Sequence, residues 1–113
     1  MGFYIKHKFI DQTIETKLKE IAELIQNLQD TTNSQNKLNE EKNLMADEQA
    51  RLRENISVLG DDNQSITLKE RYIKKLSDQE NRFEEISVNV KKLEKEIDAL
   101  NKKIQDKMDH LKV

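Results

Sequence analysis

Apolar residues in the second half of this chain recur every seven positions: Leu76, Phe83, Val90, Ile97 and Ile104. A second row, Ile86, Leu93 and Leu100, lies between them, and Gln79 takes the same place one repeat earlier. The steps alternate between three and four, which a helix turns into one stripe and a strand cannot. A sustained seven-residue repeat also winds two helices around each other, with the first row at a and the second at d. "KK", "EKE" and "NKK" fill the spaces between and are solvated. The expectation is one helix from about 66 to about 111, roughly 70 Å long at 1.5 Å per residue.

The first half carries the same signal in two blocks. Ile14, Leu18, Ile21, Ile25 and Leu28 alternate by four and three, and Leu38, Met45, Leu52 and Leu59 recur every seven with Ile56 beside them. The step from Leu28 to Leu38 is ten, which reads as a stammer. The polar stretch "QDTTNSQNK" spans it, and β-branched and capping-type residues there weaken a helix interior, most of all near Thr31–Ser34. The helix is expected to continue through it.

Between the halves lies Gly60, the only glycine after Gly2 in a chain without proline. It follows Leu59, where a left-handed helix cap favours glycine. "DDNQS" then offers helix-starting residues: Asp61 with Gln64, or Thr67 with Glu70, fits a capping box. A stop and a start this close make the flanking helices antiparallel neighbours. The expected fold is an all-α antiparallel two-helix coiled-coil hairpin, with helices over about 11–59 and 66–111 and a turn at Gly60–Ser65. Folding at residues 62 and 63 brings Leu28 to Ile97, Ile21 to Ile104 and Leu38 to Ile86. Thr32, Gln35, Lys42, Gln49 and Gln79 are polar residues on the seam, and such residues can fix register and partner number. Gln49 and Gln79 fall in adjacent layers and could share a hydrogen bond. "FYIKHKFI" at residues 3–10 reads as a short helix before an N-cap at Asp11, with a strand as the competing reading. This segment, 1–10, is taken as the link to a preceding domain.

Composition limits what such a chain can do. Charged residues make up 37% and hydrophobic ones 35%, which suits one buried stripe per helix rather than a globular core. Disorder is the alternative for so polar a chain, and the strict period argues against it. Net charge is −2 with no asymmetry between the halves, so nucleic acid is not an expected partner. No apolar run reaches the roughly 20 residues of a membrane span, and the first ten residues lack a secretory pattern, leaving a cytoplasmic location by default. Without cysteine there is no thiolate or disulfide chemistry.

Three stretches carry a family likeness. "FYIKHKFIDQTIETKLKEIAELIQNL", "DEQARLRENISVLG" and "LKERYIKKLSDQENRFEEI" resemble the C-terminal coiled-coil part of mucoidy-inhibitor-A-like proteins, a domain of unknown function. The most specific match is Asp47, Gln49, Arg51, Arg53 and Asn55. Arg71, Tyr72, Leu76, Gln79 and Glu80 form the second. The resemblance covers nearly the whole chain and implies a β-rich region preceding it. It implies no reaction, substrate or cofactor.

Arg51, Arg53 and Arg71 near the turn make a candidate basic patch for an acidic partner, set against simple pairing with Glu48, Glu54 and Glu70. His7 and His110, the only histidines, are too few for a metal site. Asp61–Asp62 and Glu84–Glu85 lack a pocket to make them acid–base pairs. No phosphate loop, nucleophile elbow or zinc-protease motif occurs. Val88, Ile73, Leu24, Leu44 and Met108 lie off the main seam and could form a weak second stripe. The expected function is therefore non-enzymatic, without cofactor, metal or small-molecule substrate: a structural or protein-interaction module acting as a rigid arm or spacer. Its partner is a protein or a second copy. Alternatives are a homodimerisation domain forming a four-helix bundle, a nucleic-acid-binding arm using Arg51, Arg53, Arg71 and Arg82, and a chaperone-like arm.

Overall fold

The computed structural model describes residues 2–111, and the side chains of residues 12–111. Two helices account for nearly all of it, α1 over Gly2–Ser57 and α2 over Asn63–Asp109. They form the antiparallel helical hairpin the heptads require. By packing, the chain divides into a turn-proximal unit, Gln35–Lys92, and a second unit made of Met1–Ser34 with Leu93–Val113.

Helix α1 runs unbroken past Asp11, so no separate N-terminal helix ends there. The physical reason is plain: no glycine or proline lies between residues 3 and 59. The side chains of residues 2–11, His7 among them, lie outside the described residues. The helix also passes through Thr31–Ser34. Thr31 Oγ1 donates to the Asn27 carbonyl at 2.7 Å and Ser34 Oγ to the Asp30 carbonyl at 3.1 Å. Both hydroxyls bond back within the helix instead of competing with it.

The stammer is absent. Burial follows two rows along α1 and into the turn, Ile14, Ile21, Leu28, Gln35, Gln49 and Ile56 on one, interrupted at Lys42, and Lys17, Leu24, Thr31, Leu38, Met45, Leu52 and Leu59 on the other. Leu28 and Leu38 sit on different rows, and a step of ten between rows is ordinary. Leu24 therefore belongs to the seam, while Leu18 and Ile25 stand beside it, 49% and 46% exposed. Lys42 falls on a seam row yet is exposed, because a long stem can carry its ammonium to water. In α2 the seam falls on the expected rows, with Ile86 fully buried.

The turn is earlier and tighter than expected, at residues 58–62. Leu59 N–H reaches the Ile56 carbonyl at 3.2 Å, closing α1 with a three-residue step. Gly60 has no positive φ, so it is not a left-handed cap. Neither expected capping box forms. Asp62 caps α2 instead: Oδ2 accepts from Ser65 N–H at 3.2 Å and Oδ1 from the Ser65 hydroxyl at 2.5 Å. The Ser65 hydroxyl, helped by its backbone N–H, holds the Asp62 carboxyl below its ordinary range. Asp61 points to solvent, 3.7 Å from Lys69 Nζ. Thr67 lies inside α2 and donates to the Asn63 carbonyl at 2.9 Å, and Glu70 lies a turn further on. Asp62 wins because Ser65, three residues on, offers its carboxylate both a backbone N–H and a hydroxyl.

Candidate functional site

The turn-proximal unit has two chemically different edges. In an antiparallel pair, the g positions of the helices flank one side of the seam and the e positions flank the other. Along α1, Glu41 and Glu48 are g positions, and so are Lys75 and Arg82 on α2. Arg82 clamps Glu41 with two bonds, Nε to Oε1 at 3.0 Å and Nη2 to Oε2 at 2.7 Å. Its Nη1 also reaches Glu85 at 3.0 Å. Lys75 meets Glu48 at 2.5 Å. Arg82 holds the Glu41 carboxyl below its ordinary range, and Lys75 does the same to Glu48. This edge is closed by charge. In the other unit, Lys107 reaches Glu20, a residue at the same heptad position, at 2.8 Å and lowers its pKa too.

The opposite edge is different. On α1 it carries Asn36, Asn39, Asn43, Ala46 and Ala50, all exposed, then Arg53. On α2 it carries Ile66, Glu70, Ile73, Ser77, Glu80 and Glu84. Five successive α1 positions lack charge in a chain that is 37% charged. Ile66 is 41% and Ile73 56% exposed. Among the described residues, no ion pair joins α1 to α2 across this edge. Apolar residues at a, d and e together make the wider stripe of a helix inside a bundle, where a and d alone suffice for two strands.

Two buried glutamines sit between these edges, Gln49 at 4% and Gln79 at 8% exposure. They do not bond each other. Gln49 Nε2 donates to Glu80 Oε1 at 3.4 Å, and the Gln79 amide adds to Lys75 in stabilising the Glu48 carboxylate. Each glutamine thus serves the carboxylate on the opposite helix, and the buried Gln79 Oε1 is left without a donor.

No family model, curated protein or solved structure matches the chain.

The expected basic patch is split. By heptad position, Arg51 and Arg71 belong to the charged side and Arg53 to the uncharged edge. None of the three takes a salt bridge among the described residues. Arg51 lies close enough to Glu48 to help lower its pKa. Arg71 borders an open groove on α2 with Asn63, Gln64, Thr67 and Leu68. Arg82 is held by Glu41 and Glu85. Of the other motif residues, Asp47 and Asn55 are exposed and Gln49 is in the seam. Off the seam, Leu44, Val88 and Met108 are exposed at 71%, 67% and 52%. His110 closes α2, its Nδ1 2.6 Å from the Asp106 carbonyl. Among the described residues, no three metal-binding side chains converge and no helix is long and apolar enough to cross a membrane. The uncharged edge escaped sequence reading. Its signal, a three-and-four spaced row of Asn and Ala, only acquires meaning once the ion-paired side is known.

Proposed function

We propose that this chain is a non-enzymatic coiled-coil module that joins proteins by helix packing, using the uncharged edge of its turn-proximal unit. The observation that carries this reading is the contrast between the edges: one has charges matched across the helices, and the other has, among the described residues, no ion pair across them, an uncharged row from Asn36 to Ala50 on α1, and exposed Ile66 and Ile73 on either side of Glu70 on α2. The seam supports such a role by holding the edge in register through Gln49, Gln79 and the Arg82 clamp.

A photo-crosslinking residue placed at Ile73 or Ala50 should capture protein in the cell, while the same residue at Asn89, on the charged side, should capture much less. Equal capture from both sides, or none from Ile73, contradicts the proposal.

A further inference from the structure

The two helices bring opposite chemistry to the uncharged edge. From Asn36 to Ala50, α1 offers three side-chain amides and two small residues without an acid, followed by Arg53. From Ile66 to Glu84, α2 offers three carboxylates and two isoleucines without a base. Amides and a guanidinium donate and carboxylates accept. Alanines leave room where side chains must interleave, and isoleucines fill it. Each helix therefore carries the complement of the other, and the positions farther from the seam, Asn36, Asn43 and Ala50 on α1 and Glu70, Ser77 and Glu84 on α2, point away from it and do not meet within one hairpin.

We propose that the occupant of this edge is a second copy of the chain, packed so that α1 of each hairpin lies against α2 of the other with both turns at one end. The inference rests on the functional reading above and names its partner. A twofold axis along the helices makes this contact twice, as an isologous interface does. The bonds from Gln49 to Glu80, Gln35 to the Val90 carbonyl and Glu41 to Arg82 put Asn43 and Glu84 within about one helical turn of a common level. In the pair, Asn43 then donates to Glu84 of the second copy. Ala46 and Ala50 face the level of Ser77 and Glu80, and Ile73 packs on the stem of Arg53. The reverse choice, like helix on like helix, would lay the acidic edge of α2 along the same acidic edge of the second copy, and like charges at contact are unfavourable.

Equilibrium sedimentation of the full chain tests this with four proteins: wild type, Asn43→Glu, Glu84→Lys, and the double variant. Both positions are exposed on helices, so the variants should keep their helicity by circular dichroism. Wild type should be a dimer. Asn43→Glu sets carboxylate against carboxylate and should weaken it at least tenfold, and adding Glu84→Lys should restore it. Ile73→Ser, which leaves the hairpin's own seam intact, should also weaken the dimer. A monomeric wild type, indifference to Asn43→Glu and Ile73→Ser, or failure of the double variant to recover would overturn the proposal. Crosslinking from Ile73 to a different protein, with a monomeric wild type, would sink self-pairing and leave the interaction reading standing.

Discussion

Gln49 on α1 donates its amide to Glu80 on α2 at 3.4 Å, across the seam and one residue beyond its buried counterpart Gln79. A buried amide must find a partner or lose the hydrogen bonds it had in water. Gln49 finds one at the edge. Gln79 keeps a buried Oε1 that remains unpaired. The layer therefore specifies register at a cost in stability.

That cost can be removed. Gln79→Leu deletes an unpaired buried acceptor and adds apolar burial, so it should raise the unfolding free energy by about 1 kcal/mol. Urea denaturation followed by circular dichroism measures it. A loss of stability would mean that the Gln79 amide matters more to Glu48 than its orphan oxygen costs.

Burial sets a contrast nearby. Ile86 is fully buried, and Ile86→Ala should cost about 3 kcal/mol. Val88, two residues on and 67% exposed, should change stability by less than about 0.5 kcal/mol when cut to alanine. The same denaturation experiment compares them, and similar losses would contradict the α2 seam.

The turn makes a third prediction. A methyl group on Gly60 would meet Asp62 Oδ1 at 3.5 Å, an ordinary contact, and the backbone there has no positive φ. Gly60→Ala should therefore be neutral or stabilising by up to about 1 kcal/mol, through the unfolded chain. Asp62→Ala removes the α2 cap and should cost about 1 kcal/mol. Thermal unfolding of both variants decides whether cap or glycine matters at this turn.

The α2 seam was legible because its rows are apolar almost throughout. The first rows of α1 were not, because Ile14, Ile21 and Leu28 fit two phases. Leu18 and Ile25 make the more apolar one, whereas Lys17 and Leu24 make the one that faces α2. A stripe with apolar residues at a, d and e hides which flank is inward until the partner helix chooses. The resulting misphasing produced the apparent stammer at Leu28–Leu38. The helix stop was legible to within two residues, expected at Leu59 and found at Ser57, but capping residues were too plentiful in "DDNQS" for sequence to select Asp62. The edges were illegible for a further reason: their meaning depends on which acids and bases meet across the hairpin.

Acid should weaken the hairpin in a defined direction. Lys107, Arg82, Lys75 and Ser65 hold Glu20, Glu41, Glu48 and Asp62 below their ordinary values. Unfolded carboxylates bind protons first, near pH 4, so these groups stabilise the fold above that value. Their contribution is lost as pH falls through the lower folded values. Arg82→Gln releases Glu41 and should move the acid-unfolding midpoint to higher pH. An unchanged midpoint would show that the clamp is not formed in solution.

The identity of both edges depends on which side of α1 faces which side of α2. The chain has no cysteine, so pairs can be introduced cleanly. In dilute protein, Glu41→Cys with Arg82→Cys should be joined within one chain by a short thiol-specific cross-linker. Asn39→Cys with Arg82→Cys, which places the first thiol on the uncharged edge, should not. Efficient joining of the first pair alone is the predicted result, and preferential joining of the second would contradict the assignment of both edges.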